Sequence, residues 1–400
     1  MQAVYLDNNA TTRTDPEVVA AMLPYFTEHF GNASSTHSFG ADVAGAIRQA
    51  RRQVQELIGA AYEGEIVFTS GGTESDNAAL LCGVEIDSGR NEIIVSKVEH
   101  PAILAFAAYL EHMRGIRVHQ IGVDGEGRLD IDAYAQALGP RTALASIMWA
   151  NNETGTVFPV AELAEMAHAA GALFHTDAVQ AAGRVPVSVT GTKIDLLSLS
   201  GHKLHAPKGT GALYVRKGIA FKPLIRGGRQ ERGRRAGTEN GPGIVGLGKA
   251  AELATRALGA ETARVRGMRD RLEQGVLQRI GQCLVSGDTE SRLPNTSNIA
   301  FSYADSEALL HQLEAAGIAA SSGSACASGS MEPSHVLRAM NVPPIALQGA
   351  IRFSLSRDNS NGEIDRLLDI LPGIVAAVRE KSPLWRDVQA SDARGVSSLV

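Results

Sequence analysis

Short aliphatic runs alternate along most of the chain with longer segments in which apolar residues recur at helical spacing. The runs that predict strands after residue 60 lie at 66–68, 93–96, 118–122, 143–150, 173–175, 196–199 and 212–215. Segments 45–58, 101–113 and 162–170 have the apolar spacing of helices. This alternation predicts an α/β fold with a mostly parallel sheet wrapped by helices, which binds ligands at the carboxyl ends of its strands.

The pattern changes near residue 246, where a helical and charge-rich segment runs to about residue 280. Beyond it, 298–301 and 350–355 have the composition of strands, and 305–316 and 363–379 have the spacing of helices. This change predicts a second, smaller domain in the carboxyl-terminal part of the chain. A length of 400 residues agrees with about two domains.

Composition narrows the possible functions. The formal net charge of −5 argues against general binding of nucleic acid. No apolar run reaches the roughly 18 residues that a membrane-spanning helix needs. The first residues lack the features of a signal peptide, and the three scattered cysteines form neither a disulfide framework nor a metal-binding pair. These features predict a cytoplasmic location and no metal site.

Three predicted strand ends carry polar residues with related chemistry. Lys203 follows the run 196–199, and a lysine at the end of a buried strand can lose its proton and form a Schiff base with a carbonyl. Asp177 follows the run 173–175, where it could pair with a cation or cap a helix. Segment 69–76 has the strand, glycine pair and helix start of an anion site, although a tight turn without a ligand has the same residues. Together they predict a pyridoxal phosphate (PLP) enzyme, which needs a lysine, an acidic partner for the pyridine nitrogen and a phosphate site.

Two further segments have unusual compositions. Segment 321–330 consists of Ser, Gly, Ala and one cysteine, Cys326, so it is either a flexible connector or a loop that carries a nucleophile. Segment 224–238 is rich in Arg and Gly and could be a solvated loop, an RNA contact or part of an anion site. The RNA interpretation is disfavoured because the segment contains no aromatic residues among its arginines.

Several of these motifs together resemble the cysteine desulfurases, which belong to the class V aminotransferase family. The matching motifs are YLDNNATT (5–12), GTES (72–75), VEHP (98–101), NNETG (151–155), HTD (175–177), SGHK (200–203), RAGT (235–238) and segment 321–333. They occur in order over about residues 2–380. Segments 228–235 and 328–335 resemble the nitrogen-fixation (NifS) branch more than the housekeeping branch.

The resemblance implies the architecture of the fold-type I PLP-dependent transferases. In that fold a large domain contains a mainly parallel seven-stranded sheet, and a smaller α+β domain packs beside it. For this chain the large domain would span 14–254, and 1–13 with 255–400 would form the small domain that carries the Cys326 loop. The resemblance further implies a homodimer with sites at its interface, L-cysteine as substrate and an iron–sulfur scaffold protein as sulfur acceptor. It implies no nucleic-acid or membrane partner.

The resemblance also implies catalytic roles for individual residues. Lys203 would bind PLP and act as general base, and Asp177 would pair with the pyridine nitrogen. His100 would stack on the ring and transfer a proton, while Gln180 would face the ring hydroxyl. Cys326 would attack the substrate sulfur and retain it as a persulfide.

The remaining implied residues bind the ends of the cofactor and the substrate. Arg352 would bind the substrate carboxylate together with Asn152, which also borders the cofactor. The residues implied to hold the phosphate are Gly72, Thr73, Ser200 and His202, with Thr238 reaching the phosphate of the neighbouring subunit.

The expected function is therefore conversion of L-cysteine to L-alanine, with the sulfur used for iron–sulfur clusters and specifically for nitrogenase maturation. The alternatives are a housekeeping desulfurase, a selenocysteine lyase or an aminotransferase of the same fold. A scaffold or adaptor protein that kept the fold without catalysis is a hypothesis of another class. The presence of Lys203, Asp177, His100 and Cys326 disfavours that last hypothesis.

Overall fold

A computed structural model describes residues 3–322 and 333–392 of the protein, with side chains described as far as residue 387. The strands are β1 (Val4–Tyr5), β2 (Ile66–Thr69), β3 (Glu92–Ser96), β4 (Arg117–Ile121), β5 (Thr142–Ser146), β6 (Leu173–Asp177), β7 (Leu196–Ser200), β8 (Gly211–Val215), β9 (Cys283–Ser286), β10 (Thr296–Phe301), β11 (Ile318–Ala319) and β12 (Ala350–Ser354). The α-helices are α1 (Pro16–Met22), α2 (Pro24–Thr27), α3 (Ser38–Leu57), α4 (Gly72–Ile86), α5 (Pro101–Arg114), α6 (Ile131–Ala137), α7 (Val160–Ala169), α8 (Gly241–Arg279), α9 (Ser306–Ala315), α10 (His335–Ala339), α11 (Pro344–Leu347), α12 (Asn361–Arg379) and α13 (Pro383–Asp392).

The largest sheet has seven strands in the order β2-β8-β7-β6-β5-β3-β4. The pairs from β4 through β7 are parallel, and β8 runs antiparallel to both of its neighbours. Six of the strands are buried along their length apart from the first residue of β6, whereas β4 at the edge is half-exposed. Strands covered on both faces by helices are uniformly apolar, which explains the continuous aliphatic runs in the sequence. The prediction of a mainly parallel seven-stranded sheet is confirmed.

A second hydrophobic core lies around two smaller sheets. Strands β9, β10 and β12 form an antiparallel sheet in the order β12-β10-β9, and β1 pairs in parallel with β11. Helix α12 turns Ile364, Leu367, Leu371 and Val375 toward this core at the spacing of one helical face. An α+β arrangement of this kind agrees with the smaller unit expected from the sequence.

Helix α8 connects the two cores through its 39 residues. Its buried residues up to Ala254 belong to the first core, and those from Val265 onward belong to the second. The amino-terminal segment makes a second connection, because Asp7 bridges to Ser354 of β12 and Thr12 donates its backbone N–H to the His202 carbonyl. The division into domains at residues 13 and 254 stays a prediction. Within the residues described, no helix has the length and apolar character needed to cross a membrane.

Candidate active site

A cavity of about 430 Å³ opens where β2, β6 and β7 end, close to the contact between the two cores. Its volume is that of a typical small-molecule site. The residues of its lining that the sequence analysis assigned to the site are Gly72, Thr73, His100, Asn152, Asp177, Gln180, Ser200, His202, Lys203 and Arg352. Thr238 is exposed and does not line this cavity, and Cys326 lies outside the described residues.

Lys203 lies at the end of a short 3₁₀ turn that follows β7. Its Nζ donates hydrogen bonds to the carbonyl oxygens of Asn9 and Ala10, both at 2.6 Å. The amino-terminal segment therefore forms a wall of the cavity and fixes the position of the amine. A lysine held in this way on a buried strand end is suited to covalent binding of a carbonyl compound.

Asp177 is the last residue of β6 and is 7% exposed. Its Oδ1 accepts the Val179 backbone N–H at 2.8 Å. Burial raises the pKa of Asp177 to about 6, while the Val179 N–H and the charge of Lys203 act in the opposite direction. A cation on the cavity side of this carboxyl group would favour its ionised form further.

His100 caps the amino terminus of α5, and its Nδ1 accepts the Ala102 backbone N–H at 3.1 Å. An Nδ1 that accepts a hydrogen bond carries no proton, so the neutral ring has its proton on Nε2. Burial, followed by the charges of Lys203 and His335, lowers the pKa of His100 to about 4. The imidazole is therefore neutral at pH 7 and presents an N–H donor at Nε2.

The start of α4 has the features of an anion site. Gly71 precedes the helix without a side-chain cap, so the backbone N–H groups of the first turn need other partners. A Cβ on Gly72 would lie 3.0 Å from Val179 Cγ2, and such close packing favours glycine there. With the Thr73 and Ser200 hydroxyl groups on the same cavity wall, these residues fit the phosphate of PLP.

Arg352 on β12 is 1% exposed and reaches the cavity from the second core. Its Nη2 donates to Asp7 Oδ1 at 2.6 Å, and its Nη1 donates to the Asn152 carbonyl oxygen at 3.0 Å. A planar guanidinium held at two points is suited to a carboxylate ligand. The expectation that Arg352 and Asn152 lie together agrees with this contact.

Gln180 makes contacts that the sequence did not predict. Its Nε2 donates to the Asn9 carbonyl oxygen at 3.0 Å, and its Oε1 accepts from Arg184 Nη1. Gln180 borders the cavity, and its expected role toward a ring hydroxyl stays a prediction.

The sequence analysis assigned no role to Asp76, Glu153 and His335, which also line the cavity. Glu153 is 3% exposed, and its Oε2 accepts a hydrogen bond from Ser334 Oγ at 2.6 Å. His335 Nε2 donates to the Glu99 carbonyl oxygen at 3.0 Å, since a carbonyl can only accept. All three lie next to or within motifs quoted above, so their proximity to known site residues in the sequence was the available signal. Among the described residues, no group of three or more His, Cys, Asp or Glu side chains is arranged to hold a metal ion.

Comparison with known proteins agrees with this geometry. The model of the family "Aminotransferase class-V" matches residues 4–367. A cysteine desulfurase of Gluconacetobacter diazotrophicus is 66% identical over 391 residues, which cover 98% of each chain. The cysteine desulfurase NifS of Azotobacter vinelandii is 55% identical, with 96% of each chain covered. The chain belongs to the cysteine desulfurases.

Solved structures place this cysteine desulfurase in the same fold. A NifS-like protein superposes with a TM-score of 0.88 at 36% identity, over 94% of this chain and 100% of the other. An apo cysteine desulfurase of Thermococcus onnurineus superposes with a TM-score of 0.84 at 26% identity, over 94% and 95% of the two chains. The resemblance inferred from the motifs is confirmed, together with its fold, and the class V family is one of PLP-dependent enzymes.

Proposed function

We propose that the protein converts L-cysteine to L-alanine and transfers the sulfur to Cys326 as a persulfide. The substrate C–S bond breaks, an S–S bond forms at Cys326, and a proton is added to the substrate Cβ. The carbon is reduced by the electron pair that the sulfur leaves behind, so no external oxidant or reductant is needed. The convergence of Lys203, Asp177 and Arg352 on one cavity is the observation that carries this proposal.

The residues at the strand ends would hold PLP. Lys203 would bond to its aldehyde, Asp177 would pair with its pyridine nitrogen, and His100 would lie against its ring. The phosphate would be held by Gly72, Thr73, Ser200 and His202. When bound, the cofactor supplies an electron sink for charge that develops at the substrate Cα.

The remaining steps depend on the side chains around the substrate. Arg352 would bind the substrate carboxylate beside Asn152 and so orient the Cα–H bond toward the amine of Lys203. That amine would act as general base once the substrate has replaced it on the cofactor. His100 would hold a proton at Nε2, the nitrogen that its cap at Nδ1 leaves for this purpose.

The residues on either side of segment 323–332 support Cys326 as the sulfur acceptor. Ser321 exchanges backbone hydrogen bonds with Arg352, at 2.6 Å and 3.3 Å, and Ser334 bonds to Glu153. Both described flanks of the segment are therefore attached to residues of the cavity lining. A thiol within this segment is a reasonable nucleophile for sulfur bound beside Arg352.

A homodimer would explain two features at the surface. Thr238 is exposed and outside the cavity lining, in agreement with a contact to the phosphate of a second subunit. Phe26, Phe30 and Phe39 are 60%, 67% and 54% exposed, which is unusual for a surface that faces only water. An iron–sulfur scaffold protein as the final acceptor, a role in nitrogenase maturation and a cytoplasmic location belong to the same proposal.

The test supplies L-cysteine to the PLP-loaded protein and measures alanine, together with the sulfide that a reductant releases. We expect Cys326→Ala to retain the visible absorption of bound PLP and to lose turnover by about 10³-fold or more, because the nucleophile is removed. Cys283→Ser, which changes a half-buried thiol outside the cavity lining, is the control and should turn over normally. Parental desulfuration by Cys326→Ala would show that the nucleophile is another group.

A further inference from the structure

Three buried carboxyl groups meet at the sheet side of the cavity. Asp177 ends β6, Asp76 lies in the second turn of α4, and Glu99 follows β3 and precedes His100. Asp76 and Glu99 are 1% and 0% exposed. The charge of Asp177 raises the pKa of both of these neighbours, so the three groups interact. Three negative charges in one buried site would be very costly.

Asp177 has the surroundings that an ionised carboxylate requires. It accepts the Val179 N–H, and it lies close enough to Lys203 for the ammonium to lower its pKa. A protonated pyridine nitrogen on the cavity side would supply a second positive charge. Asp177 is therefore the member of the cluster that the structure equips to carry charge.

Asp76 lacks those surroundings. Its Oδ1 is buried without a hydrogen-bond partner among the described residues, and its nearest basic group is His175 Nε2, at 3.7 Å. That histidine is engaged at both nitrogens, at 2.8 Å by Ser146 Oγ and at 2.9 Å by Ser198 Oγ, and burial lowers its pKa to about 3. It is therefore neutral and does not balance a charge on Asp76.

The other groups that face Asp76 also disfavour its ionised form. Burial is the main cause that raises its pKa well above the usual value, and Asp177 and Glu99 act in the same direction. The Ser198 hydroxyl opposes this shift. No lysine or arginine forms an ion pair with Asp76 within the described part of the chain.

Glu99 has partners on one oxygen only. Its Oε1 accepts from Ser96 Oγ at 2.7 Å and from the Met148 backbone N–H at 2.9 Å. Its Oε2 is buried without a partner among the described residues. Burial raises the pKa of Glu99 to about 8, so the proton is retained at pH 7.

From this geometry we propose that Asp76 and Glu99 are positioning residues that each hold a proton, so that Asp177 carries the single negative charge of the cluster toward the cofactor ring. The pyridine nitrogen then faces one fixed anion. Protonated Glu99 also ties the segment that carries His100 to Met148, just beyond β5, without adding charge. This inference rests on the proposed binding of PLP, although the positions of the protons do not require the cofactor.

Infrared spectroscopy of the full-length protein tests the protons directly, with and without added PLP. At pH 7 we expect carbonyl-stretch bands of protonated carboxylic acids, one lost in Asp76→Asn and another in Glu99→Gln. Glu65→Gln, which changes a buried glutamate outside the cavity lining, should leave both bands in place. Retention of both bands in Asp76→Asn and Glu99→Gln would overturn the proposal.

The affinity for PLP tests the consequence for charge. Asp177→Asn removes a charge-assisted contact and should weaken binding by about 10-fold to 150-fold. Asp76→Asn replaces one neutral group by another and should weaken binding by less than about threefold. Equal losses in the two variants would mean that Asp76 is also charged. If the unmodified protein binds no PLP, the proposed function fails, and the infrared bands still decide where the protons are.

Discussion

At one end of the cavity the side chains come from neighbouring strands of a single sheet, whereas at the other end they come from both hydrophobic cores. The sheet end is defined by Asp177 and Lys203, which follow the adjacent parallel strands β6 and β7. The junction end is defined by Arg352 and Asp7, which form an ion pair across 345 positions of sequence. The two ends therefore depend on different parts of the fold.

This difference predicts different consequences of mutation. The sheet end is fixed by strand register, in which Asp177 pairs with Ser198, so a change there should alter chemistry and leave the packing of the cores intact. The junction end is fixed by contacts between β12, the amino-terminal segment and the loop after β5. A change there should alter substrate binding, and in some cases stability as well.

The largest expected effect is at the sheet end. Lys203→Ala removes both the amine that would bond to PLP and the proposed general base, so alanine formation should fall by about 10³-fold or more. The unfolding free energy should change little, because Lys203 Nζ bonds only to backbone carbonyl oxygens in the described contacts. Lys208→Ala, an exposed lysine five residues away, is the matched control. Retention of a tenth of the parental rate would contradict the assignment of Lys203.

The next effect separates substrate binding from chemistry at the junction end. Arg352→Lys keeps the charge but loses the planar fork, so KM for L-cysteine should rise by about 10-fold to 150-fold while kcat falls less. Arg357→Lys is the control, because this arginine pairs with Asp15 at 2.7 Å outside the lining of the cavity. Steady-state kinetics of the two variants decide the result. A loss confined to kcat would place Arg352 in the chemical step instead.

The sequence predicted the sheet end more completely than the junction end for a physical reason. A buried strand followed by polar residues is a local pattern, and it identified Asp177 and Lys203 directly. The contact of Arg352 with Asp7 depends on how distant segments pack, and no local pattern encodes it. Asp76 and Glu153 were overlooked because a carboxyl group near a helix start or in a turn is equally typical of a cap.

Helix boundaries show the same limit on a smaller scale. Helix α3 was predicted from residue 45 and begins at Ser38, because the His37 side chain accepts the Gly40 N–H and caps an earlier start. Helix α8 was predicted from residue 246 and begins at Gly241, where Asn240 supplies the cap. Histidine is an uncommon cap, and the glycines at the start of α8 have low helix propensity. Side-chain capping outweighed propensity at both positions.

The sheet end should also affect stability as a function of pH. Burial lowers the pKa of His175 to about 3, whereas the unfolded chain titrates near 6.5. The unfolded state takes up a proton as the pH falls below 6.5, so the stability due to neutral His175 is lost from there down to about pH 3. Between pH 7 and pH 5 this loss amounts to about 2 kcal/mol. In His175→Gln the acid-induced loss should be smaller by that amount.

Glu99 provides a comparison of opposite sign. Its folded pKa, about 8, is above its unfolded value, so its contribution is complete below about pH 4.5 and is lost as the pH rises through 8. Acidification from pH 7 to pH 5 therefore restores stability at Glu99, and Glu99→Gln should lose about 2 kcal/mol more than the parent over that interval. Urea unfolding of the three proteins at both pH values measures these differences. Equal pH dependence in all three would contradict the neutral states assigned to both residues.

The smallest expected effect concerns the junction end. Ser334 Oγ donates to Glu153 Oε2 at 2.6 Å and accepts the Leu337 N–H at 3.1 Å as the cap of α10. Ser334→Ala should lower the unfolding free energy by about 1 kcal/mol and raise KM for L-cysteine a few-fold, because Glu153 lines the cavity. Ser334→Thr, which keeps the hydroxyl, should restore KM.

Ser360 offers a control with the same type of cap and a different location. Its hydroxyl accepts the Glu363 N–H at the start of α12, in an exposed position outside the cavity lining. Ser360→Ala should therefore lose similar stability, measured by urea unfolding, while KM stays at the parental value. If Ser334→Ala and Ser360→Ala have the same KM, the contact with Glu153 contributes only to folding. The junction end would then be limited to Arg352, Asp7 and Asn152.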